Sequence, residues 1–278
     1  MVDHIANKVI MITGAGGGFG RLVAEKTVAR GAQVLAVDVD EAGLDALQES
    51  ARGRSGRVMA VVTDVRDRAQ MATAAKGGVD GFGRIDVLVN NAGVMPLAFF
   101  SDHADAAEAW ERCIDINFKG VVNGIAAVHD SMIAEGRGHI VNLSSIYGNY
   151  PVAGAAVYGA TKAAVNVLSE SLRQESQGRI KVTTIRPTGV PSTGLGAGVI
   201  NPAAIGGILG AQESVFLEKL GRILSGEEGG DASDPDSITY FSLSPEELAD
   251  QIVYAIDQPW GVSISDLTVR ASGDLYMI

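Results

Sequence analysis

The chain has 278 residues, of which 46% are hydrophobic and 20% charged, with a formal net charge of −11 at pH 7. That balance suits a globular protein with a substantial core, and an acidic excess with no long cationic run argues against nucleic acid or a membrane surface as partner. One cysteine, Cys113, excludes an internal disulfide framework and offers no cysteine–histidine zinc set; no signal-peptide pattern opens the chain and no apolar run is long enough to span a bilayer, so a cytoplasmic location is expected.

In chain order, short β-rich runs fall at KVIMIT (8–13), AQVLAVD (32–38), GRVMAVVTD (56–64), IDVLVNN (85–91), GHIVNLSS (138–145) and IKVTTIRP (180–187). Longer stretches of helical texture lie between them, at 18–30, 41–52, 67–82, 104–135 and 156–177. The strand runs are almost continuously apolar, as expected for strands buried on both faces. Strands alternating with helices predict βαβ units and a parallel sheet with right-handed crossovers. The expectation is an α/β chain, a doubly wound Rossmann fold with a seven-stranded parallel sheet, helices on both faces, and a single domain over 1–278.

The last third changes texture. Residues 188–242 are rich in Gly, Ala and Ile and then acidic; 203–225 can be helical, and 225–238 reads as an irregular, mobile segment. A helix follows, with Ser244 as N-cap, Pro245 at its first position, and Glu246 and Glu247 in the first turn. It runs to about Asp257, and VSISDLTVRA supplies the last strand.

The first strand run leads into TGAGGGFG, 13–20. Gly14, Gly18 and Gly20, with Phe19, allow a tight turn and a close approach of backbone to a pyrophosphate, with the next helix pointing free N–H groups at it. An ordinary strand–helix turn has the same composition, but the place at the start of an alternating fold favours the dinucleotide reading. Asp38 ends the second strand, where a carboxylate can accept hydrogen bonds from a ribose and would repel a 2′-phosphate. NAD is therefore expected rather than NADP.

In AAVYGATKAAVNVL, Tyr158 stands four residues before Lys162. On a helix that spacing puts both side chains on one face. A fixed cation favours a phenolate, and a tuned phenol can act as general acid or base. Taken alone, the pair equally fits a surface helix with a snorkelling lysine.

Together these segments resemble the short-chain dehydrogenase/reductase family in its compact form, over about residues 5–270. TGAGGGFG matches its T-G-x-x-x-G-x-G, Asp64-Val65 the acidic position after the third strand, and NNAG (90–93) the motif after the fourth. Asn117 in DINFKG matches a helix asparagine, and Ser145 in VNLSSIYG precedes the tyrosine of YGATK at the family's spacing. The resemblance implies that Tyr158 exchanges a proton with the substrate oxygen and that Ser145 holds that oxygen. Lys162 would lower the phenol's pKa and hold the nicotinamide ribose, and Asn117 would support a water relaying protons to Lys162. Asp64 and Val65 would contact adenine. Asn91, Ala92 and Gly93 would line the cofactor, and Pro187, Gly189 and Val190 would meet the nicotinamide end. Ser144 is the weaker candidate serine, because its spacing to Tyr158 is wrong and neighbours on a strand face opposite ways.

Two departures stand out. Pro187-Thr188-Gly189 replaces the family's Pro-Gly, with Ser192 and Thr193 further on, and SDLTVRASGDLYMI replaces an Asp-Gly-Gly near the last strand. Family members are often tetramers or dimers, and a homo-oligomer is expected. Substrate choice falls to the 188–242 region, whose apolar residues, with few cations, suggest a neutral, fairly apolar small molecule. Met95, Tyr150 and Tyr147 join the candidate pocket wall, and His103 lies in a loop that can approach it. The activity implied is exchange of a secondary alcohol and its ketone. The rival readings are a catalytically silent dinucleotide sensor and a non-redox enzyme on the same fold.

Overall fold

The apolar runs become strands whose alternate residues enter two different cores. In β1 (Val9–Thr13), Ile10 and Ile12 enter one and Val9 and Met11 the other, the two-residue period of a strand with both faces covered. The structure is a computed structural model that describes residues 3–190, 194–225, 227 and 230–276.

Beside β1 stand β2 (Gln33–Asp38), β3 (Arg57–Val62), β4 (Val87–Asn90), β5 (Gly138–Leu143), β6 (Ile180–Pro187) and β7 (Asp266–Val269). They form one seven-stranded sheet in the order β3-β2-β1-β4-β5-β6-β7, and every neighbouring pair is parallel. The order reverses at β1, which pairs with β2 on one side and β4 on the other. A crevice at the carboxyl ends of the strands is expected there.

One face carries α1 (Gly18–Ala29), α2 (Glu41–Ser50) and α9 (Pro245–Ile256), whose Val23, Val28, Leu44, Leu47, Leu248 and Ile252 are buried. The other carries α3 (Arg68–Phe82), α5 (Gly120–Ala134) and α6 (Ala156–Glu175), through Met71, Val121, Val128, Val165 and Leu172. Burying each large aliphatic contributes roughly 1.5–3 kcal/mol. The edge strand β7 is shorter than its sequence suggests, four residues rather than ten, and partly exposed.

The stretch 104–135 is not one helix. After α4 (His103–Ile114) the chain makes a π turn over Asp115–Lys119 and then enters α5. Residues 203–225 are helical but broken into α7 (Ala203–Leu209), a 3-10 turn at Gly210–Gln212, and α8 (Glu213–Ser225). Ser192 and Thr193 lie outside the described residues, as do 226, 228 and 229 of the 225–238 segment. Gly230–Ser233 of that segment forms a 3-10 turn with Ala232 buried.

Side chains cap several helix starts, of which only Ser244 was expected from the sequence. Asp40 accepts from Gly43 N at 3.1 Å for α2, and Asp67 accepts from Ala69 and Gln70 for α3. Ser244 and Glu247 form a reciprocal capping box on α9. In contrast, α1 begins after Gly17 with no side-chain cap, which leaves its first N–H groups free for a ligand.

Candidate active site

The crevice at the switch in strand order is a cleft of about 580 Å³. Its walls include Gly14, Gly18 and Phe19 from the glycine loop, Asp38 from the end of β2, Asp64 and Val65 after β3, and Asn91, Ala92 and Gly93 after β4. Of the positions expected to hold a cofactor, those nine therefore come together. Gly20 lies behind the loop and is needed for packing: a Cβ there would stand 2.1 Å from the carbonyl oxygen of Gly14. Gly14 itself has a φ of +68°, a conformation that disfavours any side chain. A Cβ at Gly17 or Gly18 would meet nothing within 4 Å. Backbone N–H groups at an uncapped helix start, facing open space, form a cradle that fits a pyrophosphate.

Asp38 is held by that loop. Its Oδ2 accepts from Gly16 N at 2.8 Å and its Oδ1 from Asp40 N at 3.0 Å. Asp64 is clasped by Arg66, with Nη2 to Oδ2 at 2.6 Å, and these bonds hold its carboxyl below the usual carboxylate range. Val65 is fixed through its carbonyl, which accepts from Asn123 Nδ2 at 2.8 Å.

The NNAG turn depends on Thr13, which the sequence reading passed over. Its Oγ1 accepts from Asn91 N at 3.1 Å and Ala92 N at 3.2 Å. Asn91 Nδ2 donates in return to the carbonyls of Thr13 and Gly14, tying the two loops into one cleft floor. A threonine closing the first strand, in front of the glycine loop, was the available signal.

Asn117 sits inside the π turn and is fully buried. Its Oδ1 accepts from Val94 N at 2.9 Å and its Nδ2 donates to Val94 O at 2.8 Å. Nδ2 also reaches Cys113 Sγ at 3.3 Å and Thr161 Oγ1 at 3.4 Å. The amide is thus occupied in clamping the segment after Gly93. A π turn inside a helix often marks a functional site.

Ser145, just past the end of β5, accepts from Tyr147 N at 3.2 Å and lies near the Tyr158 phenol, whose pKa its hydroxyl acts to lower. Ser144 points the other way and donates to the Lys162 carbonyl at 3.1 Å. Tyr158 and Lys162 share a face of α6, both buried, with Nζ 5.8 Å from the phenol ring centroid. Lys162 Nζ donates to Leu143 O at 2.8 Å. It also approaches Gly93, where a Cβ would stand 3.3 Å from Asn117 Oδ1 and 3.7 Å from Nζ.

The electrostatics depart from the expected order. Burial pushes the Tyr158 phenol up to about 12, only partly opposed by the Ser145 hydroxyl. Burial also brings the Lys162 ammonium down to about 8. In this state desolvation outweighs any lowering of the phenol by the lysine.

Among the candidate substrate contacts, Met95 packs against the buried cluster of Leu97, Tyr147 and Tyr158. Tyr150 is 53% exposed and is not among the cleft walls. His103 opens α4 as an exposed residue. Pro187 ends β6, and Gly189 lies directly under the phenol of Tyr276. Tyr276 and Asp274, in the C-terminal tail, were not anticipated. No hydrophobic period marks that tail, so its place depends on long-range packing.

A model of the short chain dehydrogenase family matches residues 8–201. An oxidoreductase of Listeria monocytogenes is 36% identical over 266 residues, covering 95% of this chain and 96% of its own. Among solved structures, the closed form of a serine dehydrogenase complexed with NADP+ is 28% identical, with a TM-score of 0.74 over 94% of each chain. A short-chain dehydrogenase/reductase from Burkholderia phymatum in complex with NAD is 26% identical, with a TM-score of 0.72 over 98% of this chain and 90% of that one.

Proposed function

The chain belongs to the short-chain dehydrogenase family, whose members are NAD(P)-dependent oxidoreductases, and we propose that it interconverts a neutral, largely apolar secondary alcohol and its ketone with NAD as the preferred cofactor. One observation carries this reading. Ser145, Tyr158 and Lys162 meet beside Gly93, which also borders the cleft holding the glycine cradle and Asp38.

In this reading Gly14, Gly18, Phe19 and Gly20 hold the pyrophosphate, and Asp38 accepts from the adenosine ribose. Asp64 and Val65 bound the adenine. Asn91, Ala92 and Gly93 line the middle of the dinucleotide, Tyr158 and Lys162 its second ribose, and Pro187, Gly189 and Val190 its nicotinamide end. When bound, the dinucleotide supplies the hydride acceptor for oxidation and the donor for reduction.

The chain's own groups handle the proton. Ser145 donates to the substrate oxygen and keeps it beside the phenol. During oxidation the hydroxyl proton of the substrate passes to Tyr158 Oη; during reduction Tyr158 returns it. A phenol near 12 is a weak acid, so positive charge beside it is what makes the phenolate accessible, and Lys162 is the side chain placed to supply it. Asn117 acts through position, by holding Val94 and with it the Gly93 backbone against Lys162. Met95 and Tyr150 are proposed as outer contacts of the substrate.

We place the homo-oligomer contact on the outer faces of α4–α6, where Ile114, Val122 and Val167 are exposed, the last at 69%. Isolated apolar side chains are ordinary on a surface, but three on adjacent helices suit a subunit interface.

The test is turnover. The protein is incubated with NAD or NADP and secondary alcohols from short aliphatic to cyclic, and reduced nicotinamide is followed by absorbance. Turnover with NAD is expected to fall by a factor on the order of 10²–10⁴ in Tyr158→Phe. Preference for NADP would overturn the reading of Asp38. Tight NAD binding without turnover of any alcohol would favour the sensor.

A further inference from the structure

Among the described residues, five buried side-chain polar atoms have no hydrogen-bond partner: His139 Nδ1, Tyr147 Oη, Ser176 Oγ, Thr188 Oγ1 and Asp274 Oδ2. A buried orphan of this kind costs about 1–3 kcal/mol, so it calls for a reason. Two of the five, Tyr147 and Asp274, belong to one corner of the fold. Tyr147 shares a buried cluster with Tyr158, Leu97 and Ala155, and Tyr276 packs against that cluster. The ring of Tyr276 lies edge-on to Tyr147, with centroids 6.5 Å apart, and 6.0 Å from the ring of Phe216 in α8. It crosses the backbone of Gly189 so closely that a Cβ there would be 1.9 Å from Tyr276 Oη.

The tail is held in this position deliberately. Gly273 N donates to Tyr240 O at 2.8 Å, and Arg270 Nη2 donates to the Tyr276 carbonyl at 3.0 Å. Arg270 also pairs with Asp274 through Oδ1. The pair leaves Oδ2 of a carboxylate whose side chain is 2% exposed with its lone pairs unused. Burial is the main cause that raises both phenols: Tyr147 is pushed up by burial, then by its neighbours Tyr276 and Tyr158 and least by the Asp274 charge, and Tyr276 is pushed up to about 12 by burial and then Asp274. The corner thus offers a phenol O–H to donate and a carboxylate oxygen to accept.

We propose that Tyr147 and Asp274, closed over by Tyr276, receive a second hydroxyl group of the substrate, remote from the carbon that is oxidised. This rests on the alcohol–ketone reading and refines it: the pocket is apolar except for one polar corner. A hydroxyl satisfies both orphans at once, accepting from Tyr147 and donating to Asp274. A carboxylate would meet the Asp274 charge. An ammonium would add a full charge to an ion pair that Arg270 already balances.

The experiment compares diols of increasing separation between their hydroxyls with the matching mono-alcohols and amino alcohols. It uses wild type, Tyr147→Phe and Asp274→Asn. Two readouts are taken: kcat/KM, and the rise in melting temperature that each compound produces in the presence of NAD. The wild type is expected to favour one diol over its mono-alcohol by about tenfold in kcat/KM, carried in KM, and each variant to lose that preference. The same diol stabilises the wild type more than either variant. If both compounds lose equally, or the amino alcohol is preferred, the hydroxyl corner is wrong while the alcohol–ketone reading stands. If no alcohol turns over yet the diol stabilises the wild type selectively, the reaction reading fails and the binding corner stands. If the diol and the mono-alcohol stabilise equally, the corner fails whatever the turnover.

Discussion

Ser144 donates its hydroxyl proton to the carbonyl oxygen of Lys162 at 3.1 Å, whereas its neighbour Ser145 lies near the Tyr158 phenol and acts to lower its pKa. Adjacent residues just past the end of β5 therefore serve different parts of α6: one anchors its backbone, the other meets its phenol. Ser144→Ala is expected to cost about 1 kcal/mol of stability, the net value of one such bond, with a small effect on kcat. Ser145→Ala is expected to leave the melting temperature nearly unchanged and to lower kcat/KM by roughly 10² or more, the scale of losing a donor aimed at the reacting oxygen. Denaturant unfolding and steady-state kinetics on both variants separate the two. Equal kinetic losses would mean that Ser144 also reaches the substrate.

Asn117 makes the second case. It bonds both the N–H and the C=O of Val94, at 2.9 and 2.8 Å. Asn117→Ala removes the partners of two part-buried backbone groups, one of which keeps a weak contact with Cys113 Sγ, at about 1–2 kcal/mol each. A loss of about 2–4 kcal/mol in unfolding free energy is expected, with weaker binding of the dinucleotide because the Gly93–Val94 segment loosens. Calorimetry of NAD binding checks the second part. Full stability in the variant would show that the π turn holds itself.

These two residues mark what sequence could and could not deliver. The sheet, its order of elements and the glycine loop were legible because they rest on local period and on turns that only glycine makes. Asn117 was singled out only through the family resemblance, and its π turn not at all: DINFKG carries no periodic signal for one extra residue in a helix. Thr13 was missed because its partners, Asn91 and Ala92, lie far along the chain. Tyr276 and Asp274 were missed for the same reason more strongly, since the tail reaches Gly189 and Tyr147 only through the assembled fold. The sign of the pKa shift on Tyr158 could not be read either. Spacing places a cation nearby, but only the packed structure says how much water both groups lose.

Asp38 bears on cofactor choice. Its two oxygens accept from Gly16 N and Asp40 N, so the carboxylate shapes the glycine loop; in the reading proposed above it also sets negative charge against a 2′-phosphate. Asp38→Asn removes the charge and keeps an acceptor for one of the two N–H groups. The ratio of kcat/KM for NAD to that for NADP is expected to fall by about tenfold or more, an interaction difference of about 1.4 kcal/mol. An unchanged ratio would place the discrimination elsewhere, with Arg66 and Arg112 on the cleft wall as the next candidates.

The last prediction concerns pH and the two groups on α6. Lys162 titrates near 8 in the fold against 10.5 for an ordinary lysine, burial being the main cause. The unfolded chain therefore holds more protons between those values, and stability rises with pH across that window. Below pH 8 the buried ammonium destabilises the fold by about 3 kcal/mol at 1.36 kcal/mol per unit. Tyr158 has the opposite sign. Its pKa rises from 10.0 to about 12, so the unfolded chain loses its proton first and stability falls as pH climbs from 10 towards 12. Lys162→Met removes the first effect and one hydrogen bond to Leu143 worth about 1 kcal/mol. The cofactor-free variant is therefore expected to be about 2 kcal/mol more stable than wild type at pH 7, with a flatter stability profile from pH 8 to 10, while losing turnover. Tyr158→Phe is expected to match wild type at pH 7 and to resist the decline above pH 10. Urea unfolding at stepped pH values reads both. A Lys162→Met protein that is less stable at pH 7, with the slope intact, would mean that the fold solvates the ammonium well and that a neutral lysine plays no part in the resting site.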